Sequence, residues 1–143
     1  MKNTLFVLAS ILFCSAASAA PQAAIEFDGC YQLYMPGAMY PAFCLQGTSE
    51  EGIGGSGARL AIFGTNPARV IQCSKSSGSD GTLNSYSYLL NGNKELSLEN
   101  VKLVNGKKEG DAVLGNNRLK FLEIDADNAA RLMKIANSAR NCQ

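Results

Sequence analysis

The side chains that most often do chemistry are either missing from this chain or scattered along it. Histidine is absent from all 143 residues. That removes the common general base, the common metal ligand and the usual partner of a nucleophilic serine. Carboxylates remain at Asp80, Glu95, Glu99, Asp111, Asp125 and Asp127, and two brought together would serve hydrolysis. No spacing singles out a pair, and strand ends and helix caps account for all six. Gly52, Gly54 and Gly57 fit G-x-G-x-x-G, but a phosphate cradle needs a strand before it and a helix after it. A strand pattern containing Leu60 and Ile62 follows instead, which dismisses nucleotide binding. Asp125-x-Asp127-Asn128 has Ala130 and Ala136 where a calcium loop wants glycine and glutamate. Helix capping explains it better. The expectation is a protein with no catalytic constellation, no cofactor and no metal.

Binding is better supplied than catalysis. Seven aromatic residues, Tyr31, Tyr34, Phe43, Phe63, Tyr86, Tyr88 and Phe121, fall in segments with strand character. Tyr31, Phe43, Tyr86 and Tyr88 are the candidate ligand-binding set, since rings with hydroxyls can line a barrel and orient a small apolar ligand. The competing reading is that they fill the core. A second candidate lies in the polar, glycine-rich segment 47–57, where Glu50, Glu51, Gly54 and Gly55 could contact a protein partner. Inserted into an enzyme's cleft, the Glu50–Gly57 loop would make the chain an inhibitor. The competing reading is a long hairpin connection.

The start of the chain sets the compartment. Lys2 precedes an apolar run, Leu5 to Phe13, that is too short to span a bilayer as a helix. Ala17-Ser18-Ala19 reads as a cleavage site, so residues 1–19 form a signal peptide and the mature chain starts at Ala20. Cys14 raises a lipoprotein alternative, against which Phe13 stands where a small residue is wanted. Removing 19 of 143 residues leaves 124, enough for one domain, here residues 20–143. Losing Lys2 leaves 12 Lys+Arg against 12 Asp+Glu. With no dense basic run, and Lys107-Lys108 read as a solvated turn, nucleic acid and anionic membrane surfaces are excluded as main partners. No second segment is long and apolar enough to cross a membrane. Cys30, Cys44, Cys73 and Cys142 remain, an even number without a CxxC pair, which argues for two disulfides in an exported protein, periplasmic or extracellular.

The elements that must position these residues are mostly strands. Asn91-Gly92, Asn105-Gly106 and Gly115-Asn116-Asn117 separate apolar runs, and Asn-Gly is the strongest short hairpin signal. A meander follows, over roughly Leu83–Leu90, Glu95–Val104, Gly110–Leu114 and Arg118–Ile124. Leu96 and Leu98 share one parity and Val101 and Leu103 the other, which predicts a bulge near Glu99-Asn100. Upstream, a hairpin centred on Gly37 places Tyr31 opposite Phe43 and Cys30 opposite Cys44, so Cys30–Cys44 is the first choice of bridge. A second hairpin turns at Thr65-Asn66-Pro67, with Leu60 and Ile62 facing Gln72 and Val70. Ser74 to Gly81 reads as a polar loop. At the end, Leu132, Ile135, Ala136 and Ala139 follow helical spacing over about 126–141, and Cys142 extends the stripe. Docked over Phe63 and Ile71, this helix would bring Cys142 to Cys73.

The expected architecture is a mainly β domain of about eight antiparallel strands in a closed or partly closed barrel, with one C-terminal helix docked on the sheet. A β-sandwich is the alternative. The Gly29-Cys30-Tyr31 strand, the meander and the final helix resemble lipocalin-like barrels in outline. The Gly-x-Trp that opens that family has no counterpart, because the chain has no tryptophan. Ser56-Gly57-Ala58-Arg59 and Asn141-Cys142-Gln143 are similar to pieces of bacterial periplasmic lysozyme inhibitors, although the second motif does not follow at a suitable distance and the helical end departs from that pattern. Neither likeness assigns a family. Taken together, the residues point to an exported, non-enzymatic binding module for a small apolar ligand or a protein partner, with enzyme inhibition as the alternative.

Overall fold

Nine antiparallel strands form one sheet in a computed structural model that describes residues 26–35, 38–48, 57–65 and 68–143. They are β1 (Gly29–Met35), β2 (Ala38–Gln46), β3 (Arg59–Thr65), β4 (Ala68–Lys75), β5 (Gly78–Gly81), β6 (Tyr86–Leu90), β7 (Asn93–Val104), β8 (Lys107–Leu114) and β9 (Asn117–Glu123). The order across the sheet is β4-β3-β2-β1-β9-β8-β7-β6-β5. Every neighbouring pair but one is a hairpin or near neighbour in sequence. The exception, β1 with β9, joins the two halves of the chain through Tyr31 opposite Glu123 and Leu33 opposite Phe121.

The sheet curls into a half-barrel. Its two end strands, β4 and β5, are consecutive in the chain and separated only by Ser76-Ser77. Ser76 N–H donates to Ala58 O at 2.7 Å on the β3 side, and Ser77 N–H donates to Leu89 O at 2.8 Å on the β6 side. One stretch of backbone is thereby handed from one end of the sheet to the other. Across the same approach, Ser74 Oγ lies 2.9 Å from Tyr88 OH, and Gln72 donates to Glu95 at 3.3 Å. Strand β5 replaces the expected polar loop over Ser74 to Gly81. Its Gly-Ser-Asp-Gly has no apolar alternation, and pairing with β6 alone holds it extended.

The turns follow their residue types. Asn91-Gly92 and Asn105-Gly106 have positive φ at both positions, as a type I′ turn requires, and Gly115 carries the positive φ of the third. The expected bulge is present. Pairing of β7 with β8 shifts between Glu99 and Lys102, and Asn100 has φ 53°. The bulge returns Val101 to the inner face with Leu96 and Leu98, all buried. Leu103 shares that parity but lies near the hairpin end, past the core, and is 59% exposed.

The first hairpin pairs as the spacing predicts, with Tyr31 opposite Phe43 and Cys30 opposite Cys44. The second is displaced. Ile62 faces Gln72 instead of Val70 and Leu60 faces Ser74 instead of Gln72, each two positions further along β4 than the turn residues imply. A shift between Ile62 and Phe63 then sets Phe63 against Val70. This bulge leaves Ile71 53% exposed, so the helix covers Phe63, Val70 and Cys73 but not Ile71.

Because side chains alternate across a strand, the sheet serves two cores. The inner one gathers Tyr31, Leu33, Phe43, Leu45, Leu60, Tyr86, Tyr88, Leu96, Leu98 and Phe121. The outer one lies under α1 (Ala126–Ser138), where Leu132 and Ala136 pack on Cys30, Cys44, Ala61 and Phe63. Asp125 caps the helix by accepting from Asn128 N at 2.9 Å. The helix ends earlier than the periodicity implies, and a 3-10 turn, Arg140–Cys142, completes the segment. Both disulfides, Cys30–Cys44 and Cys73–Cys142, are formed, and the second ties this end to β4.

The bulge on β7 depends on a glycine across from it. A Cβ on Gly110 would sit 2.7 Å from Glu99 O and 3.0 Å from Asn100 O, both fixed backbone atoms. Gly110→Ala is therefore expected to cost about 1–3 kcal/mol, the usual range for overpacking. Urea unfolding of the two proteins checks it, and an unchanged midpoint would contradict the close approach.

Candidate functional site

The structure brings Tyr31, Phe43, Tyr86 and Tyr88 together on the inner face, as the sequence implies. All four are at most 3% exposed. Three of them pack ring on ring within this core: Tyr31 stacks on Phe43 at 5.2 Å and meets Phe121 edge-on at 5.4 Å, while Tyr86 stacks on Phe27 at 5.2 Å. Aromatic pairs in these geometries contribute beyond the area they bury. The Tyr31 and Tyr88 hydroxyls are occupied too. Tyr31 OH donates to Phe27 O at 2.7 Å, and Tyr88 OH pairs with Ser74 Oγ.

One end of this interior is polar. Glu123, opposite Tyr31 on β9, accepts from Lys108 Nζ at 3.2 Å and from Lys108 N at 2.7 Å. Both side chains are largely covered, 12% exposed for Lys108 and 22% for Glu123, and Lys108 Nζ stands 6.0 Å over the Tyr31 ring. Lys108 is thus not the solvated turn residue that its sequence neighbourhood implies. Burial raises the Tyr31 phenol far above its ordinary value, and the charges of Glu123 and Asp28 push the same way. It stays protonated and acts as a hydrogen-bond donor.

A second charged cluster lies on the outer face of β7, β8 and β9. Asp111 is only 8% exposed, so it is not the solvated strand-end carboxylate that its position in the sequence implies. It takes Lys120 Nζ at 2.5 Å, Asn100 Nδ2 at 3.1 Å and Arg118 Nη1 at 3.5 Å, and Arg118 also reaches Glu99 at 2.6 Å. Glu99 and Asp111 therefore converge on an arginine. The hydrogen bond from Lys120, then that from Asn100, holds the Asp111 carboxyl below its ordinary value. Asp111 is an anionic anchor for the bulge at Asn100. Among the described residues, no group of three or more Cys, Asp or Glu could hold a metal ion.

Outside the half-barrel, α1 does not cover β3 and β4 completely. A groove of about 300 Å³ runs between Phe63, Ala42 and Ile124 on the sheet side and Leu132 and Arg131 on the helix. Next to it, sharing Ala68, a shallower one of about 490 Å³ lies between Arg69 and Val70 of β4 and Lys134 and Ile135 of α1. Neither was foreseeable from spacing, because both arise where a helix leaves part of a bulged hairpin uncovered. Of the proposed partner-binding residues, Glu50, Glu51, Gly54 and Gly55 lie outside the described residues. The flanks of that segment are anchored. Asp28 accepts from Gly47 N at 3.1 Å, Thr48 N at 2.7 Å and the Thr48 hydroxyl, and Gly57 N donates to Ser76 O at 3.2 Å.

Comparison of the chain with family models, curated proteins and solved structures gives no match. No helix among the described residues is long and apolar enough to cross a membrane. The two disulfides indicate an oxidising, exported environment.

The sign of the Asp111 shift gives a pH dependence. Its folded pKa lies below the unfolded value of about 3.9, so the stabilisation is present above that value. It is lost as pH falls through the folded pKa. Denaturant unfolding between pH 7 and pH 2 should show a smaller acid-side loss for Asp111→Asn than for the parent. Equal losses would remove Asp111 from the account of acid stability.

Proposed function

We propose that this chain is an exported, non-enzymatic binding module. Residues 1–19 are its cleaved signal peptide, and the ligand seat is the outer groove between α1 and β4. One observation carries the choice of seat: the inner aromatic residues pack against one another, with Tyr31 and Tyr88 hydroxyls already bonded, whereas the outer groove exposes apolar floor. Tyr31, Phe43, Tyr86 and Tyr88 then act as core, holding the curvature on which the groove depends. The absence of histidine and the pairing of Asp111 and Glu99 with cations support a role without catalysis.

Inhibition of an enzyme through segment 50–57 is the second reading. The anchored flanks at Asp28, Thr48 and Gly57 favour it, since a loop held at both ends is cheaper to order against a partner.

The deciding experiment is native mass spectrometry of protein recovered, without reduction, from its exported fraction. The expected species starts at Ala20, carries two disulfides and retains a small mass. That mass should be lost on Ala68→Trp, which fills the shared wall of the groove, and kept on Tyr88→Phe. The opposite pattern would move the site to the interior. A bare chain in every case would favour the inhibitor reading.

A further inference from the structure

Resting on the outer-groove reading, we propose that this groove takes a small amphiphilic anion, an alkyl chain ending in a carboxylate. Three charged side chains line its two parts, Arg69, Arg131 and Lys134, and all are cationic and exposed. Among the described residues no carboxylate lines either part, and none of the three cations is in an ion pair. In a chain with 13 Lys+Arg and 12 Asp+Glu, this is a local excess of one sign. Arg131 and Lys134 are three residues apart on one helix, so they are neighbours and repel one another. An anion between them relieves that repulsion.

The floor beneath the cations is hydrocarbon. Phe63 and Leu132 close the first part, and Val70, Ile135 and Ala139 form the second. An inorganic anion would leave this floor wet, and a plain hydrocarbon would leave the cations unanswered. A molecule with both parts satisfies both.

Size selects a small ligand over a protein surface. Volumes of about 300 and 490 Å³ lie within the range of small-molecule sites, roughly 300–1,000 Å³. Along α1, the stretch from Arg131 to Ser138 covers about 10 Å at ~1.5 Å per residue. That matches only about three residues of extended peptide, far short of the roughly 20–30 residues a side of a stable protein interface.

Decanoate is the probe, titrated into the disulfide-bonded protein by calorimetry, with decan-1-ol and decyltrimethylammonium as neutral and cationic counterparts. The expected result is saturable 1:1 binding of decanoate and weaker binding of both counterparts. Arg131→Gln and Lys134→Gln should each weaken it about fivefold, the upper end for one exposed charge pair. Amide NMR shifts should cluster at Ala68, Val70, Arg131 and Ile135. Both substitutions are on exposed side chains, and thermal melts confirm that the variants fold.

Equal affinity for decanoate and decan-1-ol, unmoved by either substitution, would overturn the anion assignment while leaving a binding groove in place. Shifts centred on Tyr31 and Tyr86 would overturn the location. No saturable binding of decanoate to protein that still retains a native adduct would overturn the ligand class alone. Binding to phosphatidylglycerol vesicles, and not to phosphatidylcholine ones, with the same dependence on Arg131 and Lys134 would overturn the carboxylate in favour of an anionic membrane lipid. Free decanoate binding without vesicle binding would place it on a soluble acid.

Discussion

Everything in this protein depends on one sheet having to satisfy two cores at once. Strands β1, β2 and β3 send Tyr31, Phe43 and Leu60 inward and Cys30, Cys44 and Ala61 outward. A slip of one residue in any of them would exchange the two sets and empty both cores. The Cys30–Cys44 bridge lies directly across the β1–β2 ladder and so pins the register at the point where the two cores meet. The outer core then needs only a modest helix. Leu132 and Ala136 suffice because the sheet surface beneath them is already ordered.

Curvature follows from where the ladder is interrupted. The β7 bulge turns the sheet at Asn100, Gly110 leaves room for it, and Asp111 with Arg118 and Lys120 braces it from outside. The second shift, between Ile62 and Phe63, bends β3 and β4 under α1. That bend moves Ile71 out from beneath the helix and opens the groove along Ala68 and Val70. The candidate site is thus a by-product of packing a helix on a bulged hairpin.

The sequence carried the parts of this arrangement that rest on local chemistry. Asn-Gly pairs announce their turns because few other residues tolerate positive φ twice, and the change of parity between Leu98 and Val101 announces the bulge. The Cys30 and Cys44 pairing followed from a single hairpin register. What was not legible depended on tertiary partners. Strand β5 has no apolar alternation, so only its neighbour β6 makes it a strand. Lys108 looked like a solvated turn residue because Glu123, fifteen positions away, cannot be seen as its partner before β8 and β9 pair. The second hairpin was displaced by a bulge with no compositional mark. Arg69, Arg131 and Lys134 are ordinary surface cations until the helix is laid across β4, and nothing in their separate surroundings marks them as a group.

The pairing of β1 with β9 has a further consequence for how the molecule is made. All other ladders join strands close in the chain and can form as each hairpin is completed. The seam through Tyr31, Leu33, Phe121 and Glu123 cannot form until the last strand has been synthesised. Until then β1 is an open edge carrying an unpaired row of backbone donors and acceptors, beside Tyr31 and Leu33 with no inner face to join. A chain synthesised from its N-terminal end therefore leaves one edge of β1 unpaired until β9 is made. The two halves of the sheet become one only at the end.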